Sequence, residues 1–258
     1  MNILFVGDIV GRAGRRAVRI FLDDIKAEYE IDFVIANGEN SAGGFGITKK
    51  VAAELYGYGI DFFTMGNHTW DNKDIFKFID EDPNLIRPLN FPDNNPGRGW
   101  QTLEINSKKI TVVNLIGQVY MPGYDSPYHK FMELYPEIED SDIILVDFHA
   151  EATGEKMAFA RAVDGMVTAV IGTHTHVQTN DAQIFPEGSG YLTDAGLTGA
   201  VDSILGMKAD KMVEKMKNSL PVRYEVGTGE VKIEAVLIKI DDKTNSVNEI
   251  MLIKKNNL

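Results

Sequence analysis

Five times along the 258-residue chain a short apolar run stops on a polar cluster, and this recurrence limits the fold more than any other feature. Ile3-Leu4-Phe5-Val6 closes on Gly7-Asp8, Phe33-Val34-Ile35-Ala36 on Asn37-Gly38-Glu39-Asn40, and residues 60–65 on Gly66-Asn67-His68-Thr69-Trp70. Residues 143–146 run into Asp147-Phe148-His149-Ala150-Glu151, and residues 166–171 into Gly172-Thr173-His174-Thr175-His176. Short apolar runs bounded by turn formers read as buried strands. Between them the spacing becomes helical: Val18, Phe21, Leu22 and Ile25 share a face, Thr48 caps a helix through Leu55, and Asp71 caps another through Ile79. Met157, Phe159, Ala160 and Val163 suggest a fourth helix. Late in the chain Val231, Ile233, Ala235 and Leu237 alternate until the phase slips at Ile238 and Ile240, and residues 247–253 can pair back on them. Strands alternating with helices, then hairpin strands, predict an α/β layered fold with mixed β-sheets flanked by helices.

A single domain spanning residues 1–258 is expected, since 44% hydrophobic content over this length can fill one large core. Two stretches break the rhythm. Residues 83–100 hold four of the nine prolines, which predicts a long ordered loop near a site. Residues 118–140 mix Tyr, Pro, Met and His129 without clear periodicity and read as an insertion over the site. The Tyr191-Leu192-Thr193-Asp194-Ala195-Gly196 stretch predicts a short strand and turn, and residues 203–220 a weakly amphipathic helix with four lysines on its solvated face.

Every one of the five clusters carries a side chain able to hold a metal ion or move a proton: Asp8; Glu39 and Asn40; Asn67 and His68; His149; His174 and His176. Neighbouring strands lie about 5 Å apart, so the loops at their ends can form one rim, where α/β folds carry their sites. Taken singly, Asp8 and Asn67 are ordinary turn residues. Gly11, Gly14, Gly43, Gly44 and Gly46 fit turn geometry as well as a phosphate cradle, and Arg12 and Arg15 fit a helix surface. Together, two carboxylates, three histidines and two amides can supply two adjacent metal sites, with Glu39 shared because it outreaches Asp8. Residues two apart on an extended segment point the same way, so spacing alone would aim His174 and His176 at one ion.

With no cysteine, disulfides, zinc-thiolate sites and thiol nucleophiles are excluded, and oxygen and imidazole ligands suit iron, manganese or zinc. The net charge of -12 opposes binding to a long nucleic acid, while small anionic ligands remain compatible. Met1-Asn2-Ile3-Leu4-Phe5-Val6-Gly7-Asp8 has no basic stretch before a long apolar one, and no run of about 18 apolar residues occurs. A soluble cytoplasmic protein without membrane partners is expected.

In order and spacing, Gly7-Asp8, Asn37-Gly38-Glu39-Asn40, Gly66-Asn67-His68, His149 and Gly172-Thr173-His174-Thr175-His176 resemble the motif set of calcineurin-like metallophosphoesterases. Gly7-Asp8-Ile9-Val10-Gly11-Arg12, Gly66-Asn67-His68-Thr69-Trp70 and Asp147-Phe148-His149-Ala150-Glu151 narrow the resemblance to the bacterial YmdB-type branch, across nearly the whole chain. Two positions depart from the broad superfamily. Ile9 and Val10 follow Asp8 where Asp-x-His is usual, and Glu39 stands where the shared ligand is usually Asp; the narrower branch has this Glu and the adjoining Asn40. The resemblance implies one metal site of Asp8, Glu39, Asn40 and His176, a second of Glu39, Asn67, His149 and His174, and His68 as proton donor to the leaving oxygen. It also implies two metal ions, usually iron, a homo-oligomer, and hydrolysis of small phosphodiesters such as 2′,3′-cyclic nucleotides by hydroxide generated between the ions. A phosphomonoesterase on the same site, or a metal-binding regulatory protein with little turnover, are the alternatives.

Overall fold

The structure, a computed structural model, describes residues 1–121 and 123–257; Pro122, within the 118–140 stretch, and Leu258 lie outside the described residues. Its first strands are β1 (Asn2–Val6), β2 (Asp8–Ile9), β3 (Phe33–Asn37) and β4 (Phe62–Thr64), followed by β5 (Trp100–Ile105), β6 (Lys108–Ile116), β7 (Ile143–His149) and β8 (Ala169–Thr173). Then come β9 (Gln183–Ile184), β10 (Gly190–Leu192), β11 (Leu197–Ala200), β12 (Val231–Ile240) and β13 (Val247–Asn256). Helices α1 (Gly11–Tyr29), α2 (Lys49–Tyr56), α3 (Pro127–Ile138), α4 (Thr153–Ala162) and α5 (Ala209–Asn218) complete the set.

Two mixed sheets result. One is ordered β2-β11-β12-β1-β3-β4 with β13 also on β12, and the other β5-β6-β7-β8-β10-β9. Alternation along β1 explains how they stack. Ile3 and Phe5 face Ile110, Val112, Leu145 and Ile171 of the second sheet, while Leu4 and Val6 face Val18, Leu22 and Ile25 of α1. The far face of the second sheet, with Val113, Val146 and Phe148, is covered by Phe131 and Leu134 of α3 and Phe159 of α4. The layers are therefore helix, sheet, sheet, helix, the α/β layering with mixed sheets and flanking helices expected from the sequence. Strands buried on both faces must be apolar at successive positions, which is why these runs do not alternate. Among the described residues no helix is long and apolar enough to cross a membrane.

The same double burial accounts for the apparent phase slip late in the chain. Val231, Ile233, Ala235 and Leu237 of β12 pack on the helix side, whereas Val236, Ile238 and Ile240 pack between the sheets. The register is continuous through Leu237 and Ile238, and the one irregularity falls between Lys239 and Ile240.

Four elements differ from expectation. Asp71 does not cap a helix, because its carboxylate is engaged by the His68 ring; Asn72 caps instead, accepting from Asp74 N at 3.1 Å, and only a short 3-10 turn (Lys73–Lys77) follows. The 83–100 stretch ends in a strand, β5, whose polar Gln101, Thr102 and Glu104 suit the sheet edge it occupies. The 118–140 stretch holds α3, capped by Ser126, with Phe131, Leu134 and Ile138 buried at helical spacing; Pro127 and Pro136 masked that period. The helix expected over residues 203–220 spans only Ala209–Asn218 and buries no side chain.

Candidate active site

The five strand ends converge. Gly7 must be glycine for β1 to approach β11, since a Cβ there would lie 2.2 Å from Gly196 O. That approach delivers Asp8, fully buried, to the rim, where Oδ2 accepts from His174 N at 3.2 Å and Oδ1 lies 3.7 Å from His176 Nε2. Burial raises the Asp8 pKa against the opposing pull of His176 and His149. From the end of β3, Glu39 sends Oε1 to within 3.0 Å of His149 Nε2 and accepts from His68 N at Oε2, 2.8 Å away. Burial would raise Glu39, but His149 and His68 prevail and hold it at about 2.

His149, at the end of β7, is the hub. Burial disfavours its charge, yet Glu39, then Asp8 and Asp147, push it up to about 9. A relay fixes its ring: Thr173 Oγ1 donates to Asp147 Oδ1 at 2.7 Å and lies 2.9 Å from His149 Nδ1, so Nδ1 donates to Thr173 and Nε2 faces the site. There Nε2 meets Asn67 Oδ1 at 3.0 Å and His174 Nδ1 at 3.1 Å. Burial and then His149 push His174 down to about 3, so it stands neutral. Ligand atoms of Glu39, His149 and His174 all lie within 4.8 Å of one another.

His174 and His176 part company for a backbone reason. β8 ends at Thr173, and both histidines adopt left-handed φ, 98° and 62°, so the extended geometry does not reach them. His174 turns toward His149 and Glu39, its Nε2 3.0 Å from Glu151 Oε2, while His176 turns toward Asp8 and donates from Nδ1 to Leu205 O at 3.0 Å. That bond occupies Nδ1 and leaves Nε2 of His176 facing the Asp8 side. Non-glycine residues in this region cost on the order of 1 to 3 kcal/mol each, and a buried clamp opposes that cost. Lys156 Nζ reaches Asp194 Oδ2 at 2.9 Å and Thr173 O at 2.7 Å, while Asp194 Oδ2 also accepts from Thr175 N and Oγ1.

The remaining candidates have definite places. Asn40 donates from Nδ2 to Gly44 O at 3.0 Å, while its Oδ1, like Asp8 Oδ1, is buried without a hydrogen-bond partner. His68 is partly exposed, with Nδ1 2.8 Å from Asp71 Oδ2, and it lines a cleft with Glu39, Asn40, His174 and His176. His129 is exposed on α3. Arg15 ties Glu54 to Ser41 O, a structural role, and Gly43, Gly44 and Gly46 all have positive φ, as their turn demands. Lys156 and Asp194 escaped the sequence reading. Lys156 lies three residues before Phe159 on the buried face of α4, and a lysine in that position was the available signal.

This donor set fits metal ions. Two buried oxygens, on Asp8 and Asn40, want a partner the protein does not provide, and three histidines and Glu39 surround them without a thiolate. Gly66 leaves the necessary room, since a Cβ there would sit 2.4 Å from His149 Nε2 and 2.5 Å from Glu39 Oε2.

Comparison with known proteins places this geometry in context. A 2′,3′-cyclic-nucleotide 2′-phosphodiesterase of Bacillus subtilis is 47% identical over 251 residues, covering 97% of this chain and 95% of that protein. A solved structure of a novel phosphatase from Mycoplasma pneumoniae superposes with a TM-score of 0.94 at 35% identity, covering 99% of this chain and 93% of that one. The Haemophilus influenzae NAD nucleotidase shares this fold, with a TM-score of 0.63 at 14% identity over 98% of this chain and 55% of its own. The model of the YmdB-like protein family matches residues 4–253, and the chain belongs to that family.

Proposed function

We propose that this chain is a metal-dependent phosphodiesterase, its 258 residues acting as one domain on small phosphodiesters of the 2′,3′-cyclic nucleotide type. The reading rests on one observation above all: Glu39, His149 and His174 converge beside a cleft that His68 also lines. The activity named for the 47% identical relative supports it. In this reading Asp8, Glu39, Asn40 and His176 hold one ion, and Glu39, Asn67, His149 and His174 a second. Iron is the proposed metal, with manganese and zinc compatible with the same ligands. When bound, such ions supply Lewis acidity, lowering the pKa of water and neutralising phosphoryl charge.

The chain's own residues supply the proton and the alignment. Asp71 holds His68 Nδ1 at 2.8 Å, which leaves Nε2 to carry a proton to the departing ribose oxygen. The bond from His68 N to Glu39 Oε2 fixes that donor relative to the shared carboxylate. His68→Ala is expected to retain metal, by elemental analysis, while kcat falls about 10²- to 10⁴-fold, most for poor leaving groups. Loss of metal from this variant would make His68 a ligand instead.

Metal uptake carries a pH signature. Below about 9 a proton occupies His149 in the metal-free protein, and a metal ion must displace it. Affinity for Mn²⁺ is therefore expected to rise roughly tenfold per pH unit between about pH 6 and pH 8 and to level off above about 9. A flat titration profile would place the ion away from His149.

A second reading, phosphomonoester hydrolysis on the same residues, is favoured by the phosphatase description of the 35% identical structure. Assay of bis-p-nitrophenyl phosphate against p-nitrophenyl phosphate separates the two, and preference for the diester together with opening of 2′,3′-cyclic AMP supports the first.

A further inference from the structure

The cleft beside the site has two unlike walls. One is polar, with Glu39, Asn40, His68, His174 and His176. The other is formed by Phe45, Leu205, Met207, Met212 and Tyr224, none of which carries a charge. Met207 belongs to a small apolar cluster with Val10 and Leu197, separate from the three main cores, and Phe45 and Met212 pack against it. Tyr224 and Leu205 remain 38% and 45% exposed, so the wall keeps apolar surface open to the cleft rather than burying it.

We infer that this wall is the nucleobase subsite, with Phe45 and Tyr224 as its stacking platform and Leu205, Met207 and Met212 as its floor; the inference rests on the phosphodiesterase reading. Three observations carry it. The cleft's volume, ≈ 390 Å³, is that of a small-ligand pocket and suits a nucleoside. Phe45 meets the His68 ring edge-on at 4.9 Å and lies 6.2 Å from the Tyr224 ring, so an aromatic surface begins where the proton donor ends. A base joined to a ribose phosphate held at the polar wall falls onto that surface. Finally, Leu205 contributes its side chain to the wall and its carbonyl to His176 Nδ1, which ties the position of the wall to that of the site. Lys215, with Nζ 4.9 Å from the Tyr224 ring centroid and bonded to its hydroxyl, holds the ring in place.

The chemistry of the wall also sets its selectivity. Stacking tolerates every base, because each has a π face, whereas hydrogen-bond readout needs polar groups aimed at the base edge. The five wall residues offer apolar side chains and one tied hydroxyl, so all four 2′,3′-cyclic nucleotides are expected to turn over within about tenfold of one another.

The test compares 2′,3′-cyclic AMP with ribose 2′,3′-cyclic phosphate, which lacks a base, on the metal-loaded enzyme. Tyr224→Ala is expected to lower the ratio of their kcat/KM values about tenfold, mainly through KM for the nucleotide, with Tyr224→Trp restoring the ratio. Adenosine binding, measured by calorimetry, is expected to weaken about tenfold in parallel. Equal loss on both substrates, or no loss on either, overturns the base subsite. Wild-type enzyme that hydrolyses both at equal kcat/KM overturns it as well while leaving the phosphodiesterase reading intact. Failure to hydrolyse either substrate overturns both.

Discussion

Glu39→Gln is expected to cut kcat/KM by at least about a thousandfold, the equivalent of several kcal/mol of lost metal-derived stabilisation, while the chain still folds. The substitution is nearly isosteric, so the acceptance from His68 N at 2.8 Å can persist, and strand β3, which ends at Asn37, is untouched. What disappears is the negative charge shared by the proposed sites. Glu39 is also the foremost group raising His149, so that pKa falls in the variant and the proton normally held in the metal-free site is released at lower pH. Metal stoichiometry, circular dichroism and kcat/KM together check the outcome: a folded chain with deficient metal and negligible turnover. Full turnover would show that Glu39 is not shared between ions.

The largest stability effect is expected at the buried pair. Lys156 and Asp194 are 1% and 0% exposed, and removing one partner of such a pair strands the other's charge at a cost of about 3 to 5 kcal/mol. Lys156→Met leaves Asp194 with the donors of Thr175 and Gly196 but without its cation. Asp194→Asn is worse placed, since Lys156 then loses its counter-ion, keeping Thr173 O and at best a neutral amide oxygen, and that single oxygen can no longer serve both Lys156 and Gly196 N as an acceptor. Melting temperatures of the two single variants and of the combined Lys156→Met, Asp194→Asn chain test the coupling, and the double variant should recover part of the loss. Strictly additive effects would mean that the pair does not act as a unit. Because Asp194 holds the Thr175 backbone between the two histidines, activity is expected to fall in the single variants even where the chain remains folded.

Much of this site was legible because it is built from local grammar. An apolar run that ends on Asp8, Glu39, Asn67, His149 or His174 announces both the strand and the chemistry at its tip, and parallel neighbours β1, β3 and β4 bring three of those tips side by side. What escaped depends on partners distant in sequence. The positive φ of His174 and His176 is sustained by Asp194 and Leu205, some 20 to 30 residues away, and spacing along the strand pointed to a different geometry. Helix α3 was hidden by Pro127 at its start and Pro136 inside it, and β5 by the polar residues an edge strand tolerates. Asp71 looked like a cap because caps and histidine partners are the same residue type, and only the fold distinguishes them.

The pairing of β1 with β12, in the register Asn2↔Lys239 to Val6↔Ala235, sets a timetable for synthesis. At ribosomal rates of about 5 to 20 residues per second, β1, which leads into Asp8, waits roughly 10 to 45 s for the neighbour that closes its free edge. Until then the strand can pair with β3, but its other flank presents unmatched backbone groups, and few contacts reward closing so long a loop early. The candidate rim is therefore among the last parts of the molecule to mature, and nascent chains halted before β12 emerges are expected to depend on chaperones for solubility.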